Sequence, residues 1–92
     1  MRLVRISGRP GDGARYYAAR IVAAEVADGR HVAWVSPFGD PPGVAGVLLV
    51  RRVEDSPTDI DLLVLDDVPD GDAIASTWPG PAVLVVSLRE PA

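Results

Sequence analysis

A short glycine-rich segment near the start of the chain has the residue types of an anion-binding turn. Residues 8–13 read Gly-Arg-Pro-Gly-Asp-Gly and lie between a strand-like run and an alanine-rich run. Backbone amides at the amino end of a helix, together with the helix dipole, attract phosphate groups, and Arg9 or Arg15 would supply a cationic side chain. The candidate anion-binding residues are Gly8, Arg9, Gly11, Asp12 and Gly13.

The same segment is also explained as a structural turn. Pro10 fixes its own backbone φ and has no N–H to offer an anion. Asp12 would be the N-cap of the helix, and its carboxylate would then accept hydrogen bonds from the first helical amides and compete with an external phosphate. We therefore favour a turn kept for the fold, with anion binding as the alternative.

The composition argues against several kinds of catalytic site. The 92 residues include no cysteine and one histidine, His31, and all nine basic residues are arginine. Thiolate nucleophiles, cysteine-bound clusters, Walker-type lysines and multi-histidine metal sites are therefore not expected. His31 has no nucleophile or partner at a diagnostic spacing, so we predict a surface or strand-end histidine.

The charge distribution also limits the partners. A net charge of −4 argues against a nucleic-acid partner. No apolar run is long enough for a signal peptide or a membrane span, so we expect a cytoplasmic protein with no membrane partner. The acidic residues of the second half lack the spacing of a calcium loop and predict a solvated face. They are Asp59, Asp61, Asp66, Asp67, Asp70 and Asp72.

Aromatic residues mark candidate contact surfaces. Helical geometry predicts that one of Tyr16 and Tyr17 faces the sheet and the other the solvent. Trp34 lies within a predicted strand and should be in the core. Trp78 lies in a loop, where it would anchor an interface or pack over the edge of its own domain. The candidate interface residues are Phe38, Gly39 and Trp78.

The apolar periodicity predicts one small α/β domain over residues 1–92. Residues 14–28 have helical spacing, with Gly29 as a left-handed cap, and residues 70–77 have the length of one or two helical turns. Near-continuous apolar strands favour a small, mostly parallel sheet with a Rossmann-like strand, glycine turn, helix and strand at its start. With one convincing helix, we expect an under-covered sheet face that another protein buries. The predicted strands cover residues 2–7, 31–36, 45–53, 60–65 and 82–87.

Six ordered blocks of the sequence resemble the gamma subunit or gamma domain of the 2-oxoacid:ferredoxin oxidoreductases of the pyruvate and ketoisovalerate type. The family has a G-R-G-G-Q-G loop, an A-A-R-I-L-A helix core, a G-K-x-V strand and a P-x-Y-G-P-E loop, then a V-R-I-S strand and a D-x-L-x-A-L-D strand. The blocks that resemble these are residues 8–13, 18–25, 29–32, 36–43, 50–53 and 61–66. Pro10 and Asp12 depart from the loop motif, and the chain resembles a shortened gamma domain with degenerate loops.

The resemblance implies a non-catalytic subunit of an oxidoreductase complex. In that family, larger catalytic subunits carry thiamine diphosphate and iron–sulfur clusters, convert a 2-oxoacid with CoA to an acyl-CoA, and pass electrons to ferredoxin. The chain alone would bind none of these cofactors. The alternatives are a free-standing module that binds CoA or a nucleotide through residues 8–13, and a structural or regulatory adaptor of another enzyme.

Overall fold

The described part of the chain forms five strands and two helices. This computed structural model describes residues 2–9, 11, 13–37 and 43–88. The helices are α1 Ala14–Ala27 and α2 Gly71–Thr77, and a 3-10 turn spans Val53–Asp55. The strands are β1 Arg2–Gly8, β2 Val32–Val35, β3 Val47–Val50, β4 Leu62–Asp66 and β5 Ala82–Leu88.

All described strands run parallel in one sheet with the order β1-β5-β4-β2-β3. The predicted small α/β fold with a mostly parallel sheet is confirmed, and each predicted helix and strand is present. The largest difference in length is in β3, which was predicted over residues 45–53 and spans Val47–Val50. A left-handed Gly46 precedes this strand and the 3-10 turn follows it closely, so both ends of the strand are cut short.

Helix α1 packs on the sheet through a stripe of small residues. Ala14, Ala18 and Val22 recur every four residues and are buried. This spacing places them on one face of the helix, and their small side chains let the helix lie close to the strands. The helix ends as predicted, because Gly29 adopts a left-handed φ of 82° and donates its N–H to the Val26 carbonyl.

The two faces of the sheet each have a hydrophobic core. Successive strand side chains point to opposite faces, so Trp34 and Val64 pack beneath α1, whereas Leu63 and Leu65 pack on the α2 side. Every residue of β2 and β4 is buried, which is the pattern of central strands in a parallel sheet. Full burial of a Leu or Val side chain contributes about 1.5–3 kcal/mol, and much of this burial is concentrated in the central strands.

The prediction of an under-covered face is wrong for the central strands. Helix α2 covers the face opposite α1, and Ala75 packs there with Val83 and Val85. The large apolar side chains that stay open lie instead at an edge of the sheet, on β3. There Leu48 is 46% exposed and Leu49 is 37% exposed. The short helix α2 is enough to cover this face, because the sheet has five strands and α2 lies over the central ones.

The turn before β3 lies tightly against α1. Gly46 has a φ of 88°, and a Cβ atom added to it would lie 2.9 Å from a Cγ of Val26. Gly29 has a similar φ of 82° but open space around an added Cβ. Substitutions at the two glycines can therefore be compared to separate the energetic cost of left-handed backbone from that of a steric contact.

We expect Gly46→Ala to lower the free energy of unfolding more than Gly29→Ala does. Both variants force alanine into left-handed backbone, at about 1–2 kcal/mol, and Gly46→Ala adds overpacking of about 1 kcal/mol or more. Urea unfolding measures the difference. Val26→Ala in the Gly46→Ala background should recover only the part of the lost stability that comes from the steric contact. Equal losses of stability for the two glycine variants would contradict the packing described here.

Candidate functional site

The carboxyl edge of the sheet brings the glycine turn together with two polar residues that end strands. In an all-parallel sheet the carboxyl ends of the strands meet at one edge, which is where such folds bind ligands. The glycine turn after β1, Ser36 after β2 and Asp66 at the end of β4 all lie there. Asp12, Phe38 and Gly39 lie outside the described residues.

The glycine turn is built on left-handed backbone. Gly11 and Gly13 both have a φ of 89°, which side chains rarely tolerate, and among the described residues nothing lies within 4 Å of a Cβ added to either one. The backbone conformation by itself thus favours glycine at both positions. Gly8 ends β1 and Arg9 is exposed.

The predicted N-cap of α1, Asp12, lies one residue before the N-cap that the structure shows. The N-cap of α1 is Gly13, so Asp12 does not occupy that position, and Gly13 has no side chain to accept hydrogen bonds from the first-turn amides. The left-handed backbone of the N-cap would strain a residue with a side chain, which explains why glycine takes the position.

A buried ion pair joins α1 to the sheet. The Arg15 Nε–H donates to the Asp66 carboxylate oxygens at 3.0 and 3.1 Å, and the Arg15 Nη2–H donates to Oδ2 at 2.8 Å. Asp66 is fully buried, whereas the Arg15 side chain is 39% exposed. A two-pronged guanidinium–carboxylate contact is the strong and directional form of this interaction.

The prediction that Asp66 belongs to a solvated acidic face is wrong. Asp66 is the last residue of β4, and its side chain points to the face that α1 covers, so the strand carries the carboxylate under the helix. Trp34, which is buried as predicted, donates a long 3.3 Å hydrogen bond from Nε1 to the same carboxylate. Asp66 is therefore held by two side chains, and Arg15 is committed to it.

Ser36 is a polar group at this edge that sequence reasoning missed. It is fully buried directly after β2, and its Oγ makes no hydrogen bond within the described chain. Its backbone N–H donates to the Val50 carbonyl at 2.9 Å, so the residue continues the β2–β3 pairing. A serine that ends an apolar strand run is the sequence signal that would have drawn attention to it.

Both tyrosines of α1 face the solvent, which contradicts the prediction that one faces the sheet. Tyr16 is 69% exposed and Tyr17 is 60% exposed, because the alanine stripe of α1 takes the sheet-facing positions and both tyrosines fall beside it. Together with Ile6, Gly8 and Gly13 they line an open groove of about 410 Å³ next to the glycine turn.

Trp78 is partly buried against the core on the α2 side. The indole lies over Gly80, where an added Cβ would come 2.5 Å from Nε1, and this Nε1–H has no hydrogen-bond partner in the described structure. Packing over its own domain is thus the arrangement that the structure shows for the ring.

The remaining acidic candidates do not form one cluster within the described residues. Asp61 accepts a 2.7 Å hydrogen bond from the backbone N–H of His31 at the amino end of β2, and Asp72 of α2 pairs with Arg5 of β1 at 2.8 Å. His31 is exposed at a strand end, as predicted. Within the described residues no three acidic, histidine or cysteine side chains converge as a metal site would require. Neither described helix has the length and apolar character needed to cross a membrane.

We expect Arg15→Gln to destabilise the chain more than Asp66→Asn. The first change leaves a buried carboxylate without its cation, at about 3 kcal/mol. The second lets the exposed end of Arg15 turn to water and costs about 1–2 kcal/mol. Denaturant unfolding at neutral pH measures both.

The double variant is the decisive control for this pair. Adding Asp66→Asn to Arg15→Gln should restore part of the lost stability, because no buried charge is then left unpaired. Additive losses in the double variant would show that the two side chains do not depend on each other.

Comparisons of the chain with protein-family models, with curated proteins and with solved structures found no match.

Proposed function

We propose that the chain is a small, non-catalytic, cytoplasmic subunit of a 2-oxoacid:ferredoxin oxidoreductase-type complex. In this proposal larger partner subunits carry the thiamine diphosphate and the iron–sulfur clusters and use CoA, and ferredoxin accepts the electrons. The resemblance of the six ordered sequence blocks supports it. The parallel sheet that begins with a strand, a glycine turn and a helix is consistent with the fold that the resemblance implies.

The ionic chemistry of the carboxyl edge supports a non-catalytic role. A general base needs an acceptor within reach of a substrate proton, but Asp66 is fully buried and bound by Arg15 and Trp34. The sequence has no cysteine or lysine to act as a nucleophile. The described part of this edge is thus suited to contact and support.

The exposed tyrosine pair is the observation that carries the proposal. Tyr16 and Tyr17 stand on the first turn of a helix that the Arg15–Asp66 pair fixes to the sheet, so two large aromatic groups are presented on a rigid support. Tyrosine is enriched at protein interfaces, where it buries a large area at a low cost in conformational entropy. A partner subunit that covers the groove beside the glycine turn would bury both rings.

We expect the tagged chain to recover thiamine- and cluster-bearing oxidoreductase subunits from its own cells at fixed stoichiometry. The variant with Tyr16→Ser and Tyr17→Ser should reduce this recovery about tenfold or more while unfolding at nearly the same denaturant concentration. Arg20→Ala, at another exposed position of α1, is the matched control and should retain the partner.

Two results would contradict the proposal. Recovery of a stable partner that carries no thiamine diphosphate would point instead to an adaptor of another enzyme. Turnover of a 2-oxoacid by the purified chain without partners would show that the chain is itself catalytic.

The groove also supports a second candidate function, the binding of CoA or a nucleotide. The N-cap Gly13, which has no side chain of its own, places the amino end of α1 at the groove, and the exposed rings of Tyr16 and Tyr17 offer surfaces on which an adenine base stacks. Because Arg15 is committed to Asp66, the backbone amides would have to provide most of the contacts to the phosphates.

Isothermal titration of the purified chain with CoA and with ADP tests this candidate. If the groove is a binding site, both ligands should give saturable heat that the variant with Tyr16→Ser and Tyr17→Ser weakens and Arg20→Ala does not. An absence of heat for both ligands up to millimolar concentration would remove this candidate and leave the subunit proposal untouched.

A further inference from the structure

We propose that β3 pairs antiparallel with β3 of a second copy of this chain and so joins two sheets into one of ten strands. This inference concerns the edge of the sheet formed by β3, at the opposite side from β1, and stands independently of the partner proposed above. Ten strands is within the size that open twisted sheets reach.

The exposed side chains of β3 fit a neighbouring strand better than a helix or loop that packs on one face of the sheet. By the parallel register, Leu48 lies beside Ala33 and Leu49 beside Trp34, so the two exposed leucines point to opposite faces of the sheet. An element that packs on one face would leave the other leucine open. A neighbouring strand with apolar residues on both of its faces covers both.

The backbone of β3 also presents outward groups that have no partner among the described residues. The Val50 carbonyl accepts the hydrogen bond from the Ser36 N–H, which directs the polar groups of Val50 and Leu48 toward β2. Polar groups of successive residues in a strand point to opposite sides, so those of Val47 and Leu49 point away from β2. Such a row of free N–H and C=O groups is a template for another strand.

Charge distinguishes the two edges of the sheet. A centred antiparallel pairing of β1 with itself would place Arg5 opposite Arg5, and like charges directly opposite are destabilising. The four residues of β3 read Val-Leu-Leu-Val and carry no charge. The outer edge of β3 can therefore pair with an identical strand without charge repulsion, whereas the outer edge of β1 cannot.

The outward groups also restrict the register, because Val47 and Leu49 can exchange hydrogen bonds only with outward-directed residues. The proposed pairing takes the register that uses both residues of each strand, with Val47 opposite Leu49 of the second copy and Leu48 opposite Leu48. The most exposed leucine of the strand then meets its own copy at the two-fold axis, and Leu49 packs on a valine. Each exposed apolar side chain of β3 gains an apolar neighbour.

The charged residues at the two ends of β3 complement each other in this arrangement. Arg51 follows the strand, and Asp59 lines a groove of about 270 Å³ at the amino end of the strand with Gly46 and Leu48. Antiparallel pairing brings the carboxyl end of one strand beside the amino end of the other, so Arg51 of each copy approaches Asp59 of the other. Neither residue takes part in an ion pair within the described chain.

Cysteine cross-linking of the full chain tests the pairing and its register. Directly opposed residues of a non-hydrogen-bonded antiparallel pair have Cα atoms about 4.5 Å apart, within the range that a disulfide spans. The chain has no cysteine of its own, so Leu48→Cys introduces a single thiol. We expect this variant to form a disulfide-linked dimer rapidly under mild oxidation, at least about tenfold faster than Ser7→Cys, which places an exposed thiol on the β1 edge.

Sedimentation of unmodified protein provides a second measurement. The wild-type chain should sediment as a dimer, and Leu49→Arg should raise the dissociation constant about tenfold or more while keeping a native circular dichroism spectrum. The proposal is overturned if the wild-type chain is monomeric at millimolar concentration. It is also overturned if Leu48→Cys cross-links no faster than Ser7→Cys.

Discussion

The buried pair of Arg15 and Asp66 is the contact on which the arrangement of the carboxyl edge depends. It fixes the first turn of α1 over the end of β4, two segments that are 51 residues apart along the chain. A fully buried carboxylate is costly unless a cation and further donors satisfy it, so the position of the helix and the burial of Asp66 require each other. This contact therefore helps to set the positions of the glycine turn, the tyrosine pair and the groove that they line.

The rest of the fold follows from how two helices share one sheet. Helix α1 uses alanines to approach the strands closely, whereas the other face is closed by a helix of seven residues together with Trp78 and the residues around the 3-10 turn. Both helices lie over the central strands, of which β2 and β4 are buried at every residue, whereas Leu48 and Leu49 of the short edge strand β3 stay partly open. The open leucines on both of its faces are the direct result of that division.

Much of the fold could be predicted from the sequence because its elements follow local patterns. The apolar runs located all five strands, and the small-residue spacing with Gly29 located α1 and its end. Strand order was not predictable in this way, since the place of β1 at an edge depends on pairing with β5, which lies more than seventy residues later. Local pattern carries no information about that choice.

The errors at the candidate site have a common physical cause. Asp66 was assigned to the solvent because charged residues are seldom buried, yet a distant arginine satisfies it. Helical geometry predicted that one of Tyr16 and Tyr17 faces the sheet, but small residues occupy the face of α1 that packs on the strands. Ser36 gave no signal beyond its place at the end of a strand. In each case burial depends on how the helix or strand packs against segments that are distant in sequence.

The pairing of β1 with β5 has a consequence for how the chain folds during synthesis. β1 leaves the ribosome first among the strands, but its partner in the sheet comes last, and the hydrogen bonds between them span residues 2–8 and 82–88. Contacts between segments so far apart are slow to form, because the entropy of closing the long loop must be overcome before any contact rewards it. Until then β1 has no neighbour, and the nascent chain holds an arginine-bearing strand whose charge protects it from premature association.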